Sequence, residues 1–218
     1  MTVRVVMISD THLQQGALEV PPGDILIHAG DFTFKGREAE VREFGKWFRA
    51  QPHTHKCLIS GNHDLSFESN NKQAVNWLYD GAVDDSFHYL QDASVVVEVG
   101  DRKIKVYGSP WQPEFGNWAF NLPRGIKLKA KWAQVPSDTD ILITHGPPEN
   151  ILDMCDHGES VGCKDLLDRV MALDLKIHCF GHIHEAYGQV VIANTTFVNA
   201  SICNLRYHPS NKPIVVDI

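Results

Sequence analysis

Five short polar clusters stand at the ends of apolar runs in this chain: Asp10-Thr-His12, Gly30-Asp31, Gly61-Asn62-His63-Asp64, His145 and Gly181-His182-Ile-His184. Between them they offer the carboxylates of Asp10 and Asp31, the amide of Asn62 and five imidazoles. That is more ligand chemistry than one metal ion takes, and it suits two ions sharing a bridging group. The reaction class such a set serves is metal-assisted attack of water on a phosphoester. Asp-x-His alone, or Gly-Asn-His alone, is weak evidence. The specific signal is their joint occurrence, each directly after a strand-like run. His28, His53, His55, His88, His157, His178 and His208 lack that context and read as ordinary polar residues, His28 as a buried hydrogen-bonding one.

The elements that must position these clusters are apolar runs at Val3–Ser9, Asp24–Ala29, Lys56–Ser60, Asp140–Thr144 and Lys176–Phe180. They are rich in Val and Ile and too continuous for one-faced strands, so they suit strands buried on both faces of a sheet. Helix-like stretches lie between them: Arg37–Ala50, with Val41, Phe44, Trp47 and Phe48 on one face, then Asn70–Tyr79 and Gly162–Leu173. Val95–Val99 and Lys103–Tyr107 flank Gly100-Asp101-Arg102 as a β-hairpin. Thr195–Ala200 and Pro213–Ile218 supply two further strands, and Ser109–Gly125, broken by prolines and glycines among aromatics, reads as a long loop, of the kind that is functional or disordered in compact domains. This order predicts an α/β fold with two packed sheets and helices outside them. Ligands in open α/β sheets bind beyond the carboxyl ends of the strands, where the five clusters would converge. Asp10 with His12, and His182 with His184, are expected to point the same way as i, i+2 neighbours in extended chain.

With 43% hydrophobic and 22% charged residues over 218 positions, the sequence reads as one ordinary globular domain, residues 1–218. A formal net charge of −7 argues against stable nucleic-acid binding, while leaving room for a small anion held through bound cations. The five cysteines are scattered without a CxxC pair, which points to free thiols rather than a disulfide framework or zinc knuckle. No run approaches about 18 apolar residues, so no membrane span is expected and the chain reads as cytoplasmic.

The cluster series resembles the motif series of the calcineurin-like metallophosphoesterases over Val3 to His184. The stretch Gly108–Gly125, with Thr144-His-Gly-Pro-Pro148 and Val161-Gly-Cys163, is further similar to the metallophosphoesterase-domain-containing (MPPED-type) subgroup. The resemblance implies a four-layer α/β/β/α fold. It assigns Asp10, His12 and His184 to one metal ion, Asn62, His145 and His182 to the other, and Asp31 to the bridge between them. Carboxylate, imidazole and amide ligands without thiolate suit two divalent cations, Mn²⁺ first, with Fe or Zn²⁺ as alternatives. Ions about 3.5–4 Å apart can hold a bridging hydroxide for in-line attack.

On the same resemblance His63 is not a ligand but the acid that protonates the leaving group, and Asn62 and His63 contact substrate. Asp64 either orients the His63 imidazole or serves as a turn residue. Some vertebrate relatives carry Gly in place of the first histidine of the last motif; this chain keeps His182. Small phosphodiesters or cyclic nucleotides are the expected substrates. A phosphomonoesterase or protein phosphatase, and a nucleotide-binding regulator with weak catalysis, stand as alternatives. Trp111, Phe115, Trp118 and Phe120 on the long loop either cover the sheet edge as a small satellite core, the commoner role for any one of them, or stack on a base; Trp111, following Gly108-Ser109-Pro110, is the preferred wall for substrate.

Overall fold

Alternation along buried strands sorts the side chains of this protein into three apolar layers, seen in a computed structural model that describes residues 2–218. The first half runs β1 (Arg4–Ile8), β2 (Ile25–His28), α1 (Glu38–Arg49), β3 (His55–Leu58), α2 (Leu65–Ser69), α3 (Asn71–Tyr79), β4 (Phe87–Tyr89) and β5 (Ala93–Val99). Then come β6 (Arg102–Ser109), β7 (Gln112–Pro113), β8 (Asn121–Leu122), α4 (Ile126–Trp132), β9 (Ile141–Thr144) and α5 (Lys164–Val170). The last strands are β10 (Ile177–Phe180), β11 (Gly188–Ile192), β12 (Thr195–Asn199) and β13 (Ile214–Asp217).

One sheet has the order β13-β1-β2-β3-β4 and the other β11-β12-β10-β9-β6-β5. Both are mixed: β1 to β4 run parallel with β13 antiparallel at the edge, and β6, β9, β10 and β12 run parallel between two antiparallel edge strands. Val5, Met7, Ile25, Ile27 and Cys57 of the first sheet face Ile104, Val106, Ile141, Ile143, Ile177 and Cys179 of the second. Their neighbours one position along, Val6, Ile8, Leu26 and Leu58, turn outward onto Val41, Phe44 and Phe48 of α1 and onto Phe67, Ala74 and Leu78. On the far side Tyr107, Leu142, Phe180 and Phe197 meet Leu128 and Trp132 of α4 and Leu166 and Val170 of α5. The result is the expected α/β/β/α layering, and the strands are apolar throughout because both their faces are covered.

Several details differ from expectation. The third helix spans only Lys164–Val170, capped by the Cys163 thiol, which accepts from Leu166 N at 3.4 Å. The aromatic loop after β6 is pinned by the parallel pair β7–β8 and then enters α4. The strand at Thr195 is joined in a hairpin to β11, while β13 crosses to the other sheet and pairs with β1. No helix among the described residues is long and apolar enough to cross a membrane.

Candidate metal centre

Each polar cluster lies one to six residues beyond the carboxyl end of β1, β2, β3, β9 or β10, and all of them converge at one end of the sandwich. The chain does not arrive there extended. Asp10, His12, Asp31 and His182 hold φ angles of 53°, 41°, 57° and 69°, in the left-handed region that non-glycine residues rarely occupy. This corrects the extended i, i+2 pairing. An extended segment would carry the second side chain about 6–7 Å along the strand axis. The left-handed turns curl the backbone instead, so Asp10 and His12 both join a cluster with His184. Adjacent strand ends hold the turns: Asp10 N donates to Gly30 O at 2.9 Å, His12 N to Asp31 O at 3.0 Å, and Gly181 N to His145 O at 2.9 Å.

The glycines of the motifs follow from this crowding. A Cβ on Gly61 would lie 2.2 Å from Asp31 Oδ1, and one on Gly181 would lie 2.0 Å from Asp10 Oδ2.

Three groups of potential ligand atoms form, each within 4.8 Å of one another: Asp10, His12 and His184; His12, Asp31 and His63; Asp31, His145 and His182. In four imidazoles Nδ1 donates to a backbone carbonyl: His12 to Thr33 O at 3.2 Å, His63 to Phe34 O at 3.0 Å, His145 to Ala29 O at 2.9 Å and His184 to Asn204 O at 3.1 Å. Those bonds fix the tautomer and leave Nε2 facing the cluster. His184 Nε2 stands 3.4 Å from Asp10 Oδ1, and His145 Nε2 stands 3.4 Å from Asp31 Oδ2. His12 Nε2 is buried without a hydrogen-bond partner among the described residues. His145 Nε2 faces Asn62 Oδ1 at 2.9 Å. With Nδ1–H committed to Ala29 O, the His145 Nε2 and Asn62 Oδ1 lone pairs converge on one point, which a proton on Nε2 or a divalent cation can fill. A divalent cation would also give the orphaned His12 Nε2 a partner, so the donor set fits metal.

The electrostatics agree. Burial works against charge on His145, yet Asp31 overrides it and holds the imidazole up to about 9. Burial likewise opposes His184, and its bond to Asp10 with that residue's charge raises it to about 9. Burial drives His182 down to about 3 and His12 down to about 4. The two carboxylates stay ionised although burial opposes it: His184 holds Asp10 well below the usual range, and His145 does the same for Asp31.

Asp64 proves to be a backbone clamp. Its oxygens accept from Asp31 N at 3.0 Å, Gly61 N at 2.8 Å, Thr33 N at 3.0 Å and Thr33 Oγ1 at 2.7 Å. Burial and the nearby Asp31 charge push its carboxyl up to about 7. The oriented state of His63 comes from Phe34 O, not from Asp64.

Trp111 also departs from expectation. Its Nε1 donates to Asp92 Oδ2 at 2.9 Å, Lys131 Nζ lies 4.7 Å from its ring centroid, and it packs edge-on against Phe120. These contacts draw it into the packing between loop and helix. The rings that touch the histidine cluster are others: Trp118 stacks on His63 at 4.1 Å, Phe115 meets His182 at 5.7 Å, and Tyr207 meets His12 at 4.7 Å. Tyr207 had no motif to announce it. His28 and His178 are buried partners of Thr11 and Thr144 hydroxyls at 2.9 Å, each pushed down to about 3 by burial, which is the ordinary role expected for His28.

The calcineurin-like phosphoesterase pattern matches residues 3–186, and the chain belongs to that family. Within it the chain is of the metallophosphoesterase-domain-containing type. It is 41% identical over 239 residues to metallophosphoesterase domain-containing protein 1 of Homo sapiens, an alignment that covers 99% of this chain and 71% of the human one. A UPF0046 protein of Caenorhabditis elegans is 38% identical over 221 residues, covering 98% of this chain and 74% of its own. The crystal structure of TT1561 from Thermus thermophilus superposes with a TM-score of 0.61 at 12% identity, covering all of this chain and 99% of that one. At that identity the likeness speaks for the fold.

Proposed function

We propose that this protein is a dinuclear-metal-dependent phosphodiesterase acting on small phosphodiesters or cyclic nucleotides. The observation that carries the reading is the set of imidazole Nε2 atoms turned onto two ionised carboxylates, with their Nδ1 atoms locked to backbone carbonyls. Asp10, His12 and His184 are assigned to one ion and Asn62, His145 and His182 to the other, with Asp31, which belongs to two of the ligand groups, shared between them. Two divalent ions held there, Mn²⁺ in preference to Fe or Zn²⁺, would supply positive charge to the phosphoryl oxygens and acidify water.

His63 is left over for proton transfer. Its Nε2 stands 4.0 Å from Asp31 Oδ2, and its Nδ1 is held by Phe34 O. As an oxygen from water bonds to phosphorus and the P–O bond to the leaving group breaks, cationic His63, with Nδ1–H held by Phe34 O, passes its Nε2 proton to the departing oxygen, and the proton given up by the attacking water restores the cation. A diester and water thus become a monoester and an alcohol. The Asn62 amide and His63 border the substrate phosphate. The rims are aromatic: Phe115 is 58% exposed beside His182 and Tyr207 is 38% exposed beside His12, which supports a flat group, such as a nucleobase, next to the phosphate. The five free thiols, four of them buried, support a reducing, cytoplasmic setting.

The test is hydrolysis of an aryl phosphodiester by metal-stripped protein before and after Mn²⁺ is restored, followed by a panel of cyclic nucleotides and monoesters. Metal-dependent turnover favouring diesters is expected, and His63→Ala should keep its metal while losing about 10²–10⁴ in kcat on cyclic nucleotides, whose alkoxide leaving group needs the proton. Absence of metal-dependent turnover would point to a binding protein.

A further inference from the structure

Trp118 reaches the site on a loop that is tied down by the two residues directly after the indole. Ala119 N donates to Asn62 O at 3.1 Å and Phe120 N to Glu68 Oε2 at 3.0 Å, tying the loop to the segment that carries Asn62 and His63. Gly116, at φ 53°, lies under the indole, where a Cβ would stand 3.3 Å from Trp118 Cδ1. The indole plane is tilted 25° from the His63 ring with centroids 4.1 Å apart. The Lys35 ammonium sits 3.9 Å from the same indole centroid. The imidazole stacks on one indole face and the ammonium lies against the same ring, which engages the indole before any substrate ring arrives.

We infer that Trp118 is a positioning residue for His63, holding the imidazole plane so that Nε2 meets the departing oxygen, and that it does not form a base-stacking wall. The inference rests on the reading of His63 as the acid. Two constraints act on that ring. Phe34 O fixes Nδ1 at one point but leaves the ring free to rock about that hydrogen bond. The Trp118 face removes the rocking, and Tyr207, with its centroid 6.1 Å away, and His12, edge-on at 4.7 Å, close other directions. A proton donor works only within hydrogen-bond reach of the atom it protonates, so a rocking imidazole loses transfer and not binding.

The experiment has a spectroscopic arm and a kinetic arm. In metal-free protein the His63 Hε1 resonance, identified by its loss in His63→Ala, should be displaced upfield by the indole ring current. Trp118→Phe should keep that displacement and Trp118→Leu should abolish it. Two diesters are then compared, one with an aryl leaving group that departs without protonation and one with an alkyl leaving group that requires it. Trp118→Leu should lower kcat about tenfold on the alkyl ester at unchanged KM while leaving the aryl ester within about twofold. Trp118→Phe should restore both. Thermal unfolding checks that the variant is folded, and Trp118→Met serves the same readouts if Trp118→Leu is not.

Equal losses on both esters, or full kcat on the alkyl ester, overturn the positioning role. Should His63→Ala itself fail to discriminate between the esters, the acid assignment falls. Should it discriminate while the Trp118 variants do not, only the positioning role falls.

Discussion

Asp64→Asn separates two things a carboxylate beside an acid can do. If it is a clamp, the substitution removes acceptor capacity from buried backbone. One oxygen takes the amides of Asp31 and Gly61, and the other takes the amide and hydroxyl of Thr33. The new NH₂ will settle on the Thr33 side, because the Thr33 hydroxyl has an alternative acceptor in His63 O at 3.4 Å. One buried N–H is then left facing a donor, a cost of about 1–3 kcal/mol. For a chain of this size that is about 3–10 °C in Tm. Asp64→Ala strips the acceptor from three amides and should cost about three times as much. The assay is thermal and urea unfolding at pH 8, above the value of about 7 to which the Asp64 carboxyl is pushed, together with metal content and kcat. An Asp64→Asn protein as stable as wild type but reduced about 100-fold or more in kcat would refute the clamp. It would restore Asp64 as a partner of the His63 ring.

Metal loading should release protons. His145 and His184 stand at about 9 without metal, and both must be neutral to coordinate; each ion therefore displaces one proton, and its apparent affinity should rise about tenfold per pH unit between 7 and 9, about 100-fold for the product of the two. Calorimetry in buffers of different ionisation heat measures this, and loading at pH 7 without proton release contradicts it. The same raised values give the metal-free fold a stability increment that is complete below pH 6.5 and lost as pH rises through about 9. Trp111→Ala should cost about 3 kcal/mol in unfolding experiments and leave KM unchanged for nucleotide substrates, whereas a raised KM with intact stability would return Trp111 to the site. Gly61→Ala should abolish metal binding, measured by metal content after dialysis, since its Cβ would lie 2.5 Å from Asp31 N and 2.6 Å from the His145 ring; wild-type loading would mean that the strand ends yield more than their packing suggests.

The convergence of the candidate ligands was legible because their chemistry is written in residue types at strand ends: Asp10, His12, Asp31, Asn62, His145, His182 and His184 all lie at the end of the sandwich where the sequence placed them. The layering was legible because Val5 and Val6, or Ile25 and Leu26, are both apolar, which only a strand covered on both faces permits. What escaped reading depends on direction rather than type. Nothing in Asp10-Thr-His12 announces left-handed backbone, since its strain is held by hydrogen bonds to a strand some twenty residues away. Trp111 and Trp118 are alike in sequence. Only the folded loop shows one indole taken by Asp92 and the other laid on His63. Tyr207 is beyond the last motif and arrives because Asn204, whose carbonyl holds His184, also closes the turn that presents the ring. α4 was missed because Ile126, 88% exposed, breaks the amphipathic pattern at its start.

The spacing of the ligands is coupled to the packing of the sandwich. His145, on the second sheet, is oriented by Ala29 O of the first. Asp10, on the first sheet, accepts from His182 N at 3.0 Å and from Ser201 Oγ at 2.9 Å, both carried by the second. The Ser9–Ser201 bridge lies directly beside these contacts. The two groups of candidate ligands therefore cross-brace the sheets, and a shift between layers would change their geometry before it exposed the core. Close-packed interiors transmit such strain instead of absorbing it. That coupling explains why so many of the constraints at the site are backbone bonds between layers: they hold the imidazoles and carboxylates at coordination distance, while the apolar layer between the sheets keeps the backbones that carry them in register.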